Sequence, residues 1–145
     1  MQDALAALIG ARLQRVERTQ YIHQGEADPF EGDLQLWFDG RVVRLRAAGD
    51  GTHLEVVLSP WDDPFAGPLD AENESYVATH GRFVLVDVSA NDDYTELIGA
   101  RLLGYEPRYM DDGRISGATL RFETATLHAF VELDELDVSW SPPGD

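Results

Sequence analysis

The hexapeptide Leu-Ile-Gly-Ala-Arg-Leu occurs at residues 8–13 and again, unchanged, at residues 97–102, 89 positions later. A chain that repeats itself in this way is built from two copies of one unit, and two copies are too few for an open solenoid. The expectation is a single closed domain over residues 1–145, with the halves related by a pseudo-twofold axis and sharing one core. The first copy spans 1–61, a connection spans 62–81, and the second copy with a preceding strand spans 82–140. The segments after each hexapeptide keep the same order. Leu34-Gln35-Leu36-Trp37-Phe38, a strand-like run at 41–46 and Leu54-Glu55-Val56 are answered by residues 118–122, 126–131 and Leu136-Asp137-Val138. The offset falls to 84 at Phe38 and Phe122 and to 82 at Val56 and Val138, so the first copy carries the longer loops. Trp61 and Trp140 close the two copies and are expected as paired caps on the core.

Within each copy the apolar period is two, the pattern of a half-buried strand. Asp39-Gly40 between two such runs predicts a tight hairpin, because a type I′ turn needs positive φ at both positions. Turns are also expected at residues 49–51 and around Ala125. Asp93 and Glu96 form a capping-box pattern that predicts a short helix over 94–98, and Asp3 is placed to cap its counterpart. Each helix should end at a glycine, Gly10 or Gly99, and a strand should follow, over 12–22 and 101–109. Pro107 argues that the second of these strands is short or lies at an edge. Residues 59–78 read as a long irregular connection, His80 as a turn residue, and residues 82–88 as a strand buried on both faces. On strict alternation Trp37 faces away from Leu36 and Phe38. The fold class is mainly β with two short helices, arranged as a sandwich or a partly closed barrel.

Composition narrows the chemistry. There is no cysteine, which excludes disulfides, thiolate metal sites and a cysteine nucleophile. The chain lacks a phosphate loop, a dinucleotide-binding glycine motif, a nucleophile elbow and a zinc-protease motif. His23, His53, His80 and His128 are too scattered for a local metal site, and Asp70, Glu72 and Glu74 alternate without the rest of a calcium loop. No cofactor, metal or catalytic residue is assigned. The formal charge is −16, from 27 acidic residues against 11 basic ones that are all arginine. Such a surface repels nucleic acid and anionic membrane and steers toward basic partners. The opening residues are too acidic and too briefly apolar for a secretion signal, so a cytoplasmic location is expected.

Two loop segments share the form Asp-Pro-Phe-x-Gly, at residues 28–32 and 63–67. Each delivers a phenylalanine from a turn, Phe30 or Phe65, either as a plug at one end of the core or as an aromatic anchor for a partner. The arrangement of a short helix ending in Leu-Ile-Gly, a strand, and a hairpin with an Asp-Gly turn resembles small, functionally uncharacterised bacterial β proteins of duplicated architecture. Some of these are immunity proteins that travel with toxins. The charge, the long acidic connection and the absence of catalytic motifs point to a non-enzymatic, acidic protein-binding module, and the acidity is consistent with an immunity protein whose partner is a basic toxin. The residues expected at that surface are Phe30, Trp37, Asp62, Asp63, Phe65, Asp70, Glu72 and Glu74. A second reading is a small-molecule binder or hydrolase with its site between the halves, where the matching Arg12 and Arg101 would meet. A third is a structural homodimer that uses an open strand edge or Trp37.

Overall fold

The period-two runs assemble into two antiparallel sheets that pack face to face. The structure, a computed structural model, describes residues 5–28, 32–49, 51–63, 68–132 and 135–143. In the first sheet β1 (Leu13–His23), β3 (Leu34–Phe38), β4 (Arg41–Ala47) and β5 (Leu54–Val57) lie side by side. The short β2 (Glu26–Asp28) pairs with the far end of β1, and β6 (Arg82–Asp87) lines the other edge of β1. The second sheet is β7 (Leu102–Tyr109), β8 (Ile115–Phe122), β9 (Thr126–Glu132) and β10 (Glu135–Ser141). Two helices, α1 (Ala71–His80) and α2 (Asp92–Thr95), flank β6 in the chain. The architecture is a sandwich, and β4 packs over β9 and β10 while β5 packs over β8.

The duplication holds residue by residue. Leu13 pairs with Phe38 and Val16 with Leu36; Leu102 pairs with Phe122 and Tyr105 with Leu120. Both β1 and β7 bulge immediately after the leucine, at the same place in each copy. The copies meet where Arg12 and Arg101 face each other in an antiparallel bridge. Gly10 N donates to Leu102 O and Gly99 N to Leu13 O, each at 2.7 Å, while Leu13 N donates to Ala100 O and Leu102 N to Ala11 O, each at 3.0 Å. Every bond has its twin under exchange of the copies. Beneath them the equivalent Phe38 and Phe122 rings stack parallel, with centroids 6.2 Å apart. Both rings are fully buried.

Local chemistry explains most of the element ends. Asp39 (φ 47°) and Gly40 (φ 82°) form the left-handed pair that a two-residue hairpin between β3 and β4 requires. Gly10 (φ 92°) and Gly99 (φ 84°) reverse the chain into β1 and β7. Pro107 does lie on an edge strand, and the duplication says why. Val16 directs both its N–H and its C=O toward the chain after β6, to Ser89 Oγ and Val88 N, whereas Thr19 N turns the other way, to Asp33 O. Arg18, in phase with Val16, therefore offers its N–H to β6. Its counterpart on β7 is Pro107, which has none, so the edge of the second sheet lacks the donor that a further strand would need.

Several expectations are corrected. Residues 71–80 of the supposed irregular connection form α1. Asp70 Oδ1 accepts from Asn73 N at 2.7 Å, Glu72 and Glu74 occupy the first turn, and His80 ends the helix rather than sitting in a turn. No residue of α1 is buried, so it has no apolar stripe by which to be recognised. The helix expected over 94–98 is Asp92–Thr95, with Asn91 at the cap position instead of Asp93. The strand over 82–88 is an edge strand with Phe83 exposed, not one buried on both faces. Trp61 and Trp140 are not equivalent. The register of β5 and β10, with Val56 opposite Leu45 and Val138 opposite Ala129, makes Leu58 the counterpart of Trp140. Asp3 lies outside the described residues.

Phe122→Ala should lower the free energy of unfolding by about 3–5 kcal/mol in a urea titration, as expected for a fully buried ring. A loss below about 1 kcal/mol would show that the stacked pair is not central to the core.

Candidate functional site

Of the surface anticipated from sequence, Trp37, Asp63 and Asp70 are held by local contacts. Trp37 points to the outer face of the first sheet, as alternation requires, but it is half-buried. Its indole N–H donates to Glu17 Oε1, and the Arg15 guanidinium lies 4.8 Å from the ring centroid. Glu17 also accepts from Gln35 Nε2 at 2.9 Å, and Gln35 Oε1 accepts from Trp61 N at 2.7 Å. The chain after β5 thus folds back over this face and buries Gln35. Asp63 is bound to Arg82 at 3.1 Å, Asp70 caps α1, and Asp62, Glu72 and Glu74 are exposed. Phe30 and Phe65 lie outside the described residues. Arg12 and Arg101 do meet, but as exposed residues of the bridge between copies, with Arg12 Nη1 donating to Gly99 O at 2.7 Å.

Two clefts of the surface are twins under the pseudo-twofold. In one, Ala7, Leu8, Gly40, Arg41 and Leu58 form the lining; in the other their counterparts are Glu96, Leu97, Thr124, Ala125 and Trp140. The second also takes Asp92 and Asp93 from the first turn of α2, and its volume is about 370 Å³. Among the described residues, Ala7 and Arg41 of the first cleft are answered by Glu96 and Ala125 in the second, where Glu96 joins Asp92 and Asp93 beside the Trp140 indole. Trp140 is held in place by an edge-on contact with Tyr94, with centroids 5.1 Å apart. The sequence concealed this site because its residues come from α2, the turn after β8 and the end of β10.

A third opening lies at the edge of the sandwich, between β5 of the first sheet and β7 and β8 of the second. It encloses about 370 Å³ and is lined by Leu5, Leu54, Val56, Tyr105, Pro107, Tyr109, Ile115 and Ala118, with His53 and Arg114 among its polar residues. At the pseudo-symmetric place the sandwich is filled by its own side chains. Arg18, only 4% exposed, reaches across from β1 to donate through Nη2 to Leu136 O at 3.2 Å and to Gly32 O at 3.1 Å. It also hydrogen-bonds the Tyr94 hydroxyl. The counterparts of Arg18, Tyr94 and Leu34 at the open edge are Pro107, Leu5 and Ala118, all smaller. Tyr105 in place of Val16 returns only part of that volume.

Among the described residues no group of three histidine, aspartate or glutamate side chains converges as a metal ion would require, and no helix is long and apolar enough to cross a membrane. Burial raises the Tyr94 phenol above its ordinary value of 10.0, against the opposing charge and hydrogen bond of Arg18. The folded state therefore holds this proton more tightly than the unfolded state does. The associated stability is complete below the ordinary phenol value and is lost as pH rises through the folded one. An alkaline titration followed by phenolate absorbance should contain a late-ionising fraction that Tyr94→Phe removes; an unchanged profile in the variant would contradict a buried phenol. Compared with protein-family models, curated proteins and solved structures, the chain matches none.

Proposed function

We propose that the protein is a non-enzymatic binding module that receives cationic side chains of a basic protein partner in the acidic cleft beside Trp140. The observation that carries this reading is the contrast between the twin clefts. Among the described residues, equivalent positions carry Ala7 and Arg41 in one cleft and Glu96 and Ala125 in the other, where Glu96 stands with Asp92 and Asp93. Carboxylates next to an indole suit arginine or lysine, since the anions attract the charge and the ring offers its negative face. The formal charge of −16 adds long-range steering toward such a partner and raises its rate of encounter. An immunity protein that neutralises a basic toxin is the biological role the sequence resemblance suggests for a module of this kind.

Neutralising the cleft tests the reading. Binding of a fluorescent arginine-rich peptide, followed by anisotropy at low salt, should weaken about tenfold or more in the triple variant Asp92→Asn/Asp93→Asn/Glu96→Gln. In Glu72→Gln/Glu74→Gln, which removes charge from the exposed face of α1, it should stay within about twofold. Equal losses in the two variants would mean that attraction is spread over the whole surface and that the cleft is not the site.

A further inference from the structure

We propose that the cavity between β5 and β7 is a binding site for a neutral aromatic small molecule of one or two rings. The site is independent of the acidic cleft and follows from the broken symmetry of the sandwich. Each copy contributes one open edge where the two sheets part. At one of these edges the protein supplies its own occupant: the Tyr94 phenol, packed edge-on against Trp140 and hydrogen-bonded to Arg18. At the other, Leu5 stands for Tyr94 and Pro107 for Arg18, and a cavity of about 370 Å³ results. That volume lies within the range of small-ligand pockets, about 300–1,000 Å³. The filled edge shows what the framework accommodates, an aromatic ring with a polar substituent at one end.

The lining fits the same ligand. Leu5, Leu54, Val56 and Ile115 supply an apolar floor, and Tyr105 and Tyr109 supply rings against which a planar molecule can pack. The polar end is given by His53 and Arg114. Arg114 Nη1 donates to Thr52 Oγ1 and to His53 Nδ1, each at 3.1 Å, which ties the two copies together across the mouth. The Arg114 charge is met by Asp112, whose Oδ2 lies 2.7 Å from both Nε and Nη2. With that cation balanced and the whole chain strongly acidic, an anionic ligand is disfavoured and a neutral one bearing a hydroxyl or a ring N–H is favoured.

Titrating the full-length ¹⁵N-labelled protein with phenol, indole and cyclohexanol tests the proposal. Phenol and indole should shift the amides of Val56, Gly113 and Ile115 saturably, and both should bind at least about fivefold more tightly than cyclohexanol, because ring packing contributes beyond area alone. Ala118→Leu, which restores the bulk of Leu34, and Leu5→Tyr, which supplies the ring internally as Tyr94 does, should each abolish these shifts. Failure of phenol and indole to produce saturable shifts in the unsubstituted protein would overturn the proposal. So would cyclohexanol binding equally well, or shifts that persist in either filled variant that retains the native spectrum.

Discussion

Four reciprocal backbone hydrogen bonds, Gly10 to Leu102, Gly99 to Leu13, Leu13 to Ala100 and Leu102 to Ala11, join the two copies, and the rest of the sandwich depends on them. Each copy leaves donors and acceptors at its first turn that only the other copy satisfies. Leu13 and Leu102 are fully buried, and a buried amide without a partner costs about 1–3 kcal/mol, so neither half is complete alone. The stacked Phe38 and Phe122 lie under this junction and give each sheet an apolar face that needs its twin. Because the junction is made of backbone, it constrains the course of the chain and leaves the side chains around it free to diverge.

That freedom has been used unevenly. Arg18, Tyr94 and Leu34 fill one edge of the sandwich, while their counterparts Pro107, Leu5 and Ala118 leave the opposite edge open. A buried arginine costs least where its donors find acceptors; Arg18 Nη2 finds two main-chain carbonyls and the side chain meets the Tyr94 phenol, while Nε has no hydrogen-bond partner among the described residues. The same side chain spans from β1 to β10, so the element that fills the edge also ties the sheets together. On the other side Arg114 performs the crossing at the surface, over His53 and Thr52, and the interior beneath it is left to a cavity. The acidic and arginine-bearing clefts repeat this logic at the surface, with one framework presented in two electrostatic forms.

Much of this architecture was legible in the sequence because it rests on short-range chemistry. The identical hexapeptides marked the junction, the Asp39-Gly40 turn set the register of β3 and β4, and Pro107 marked an edge. Elements without an apolar stripe were not legible: α1 is capped by Asp70 yet buries nothing, so periodicity is silent over it. Trp61 and Trp140 matched in order but not in register, since Trp61 follows β5 whereas Trp140 lies within β10. The acidic cleft and the edge cavity were hidden for a different reason. Their residues are far apart in the chain, and their character emerges only when equivalent positions of the two copies are set side by side. The loop phenylalanines Phe30 and Phe65 lie outside the described residues.

If the two copies form one cooperative unit about a shared backbone junction, native-state hydrogen exchange measured residue by residue in increasing urea will show it most directly. The amides of Gly10, Leu13, Gly99 and Leu102 should exchange together, with the free energy and urea dependence of global unfolding. Exchange of one copy's pair through a smaller, urea-insensitive opening while the other stays protected would show that the halves separate, and would contradict a single shared unit.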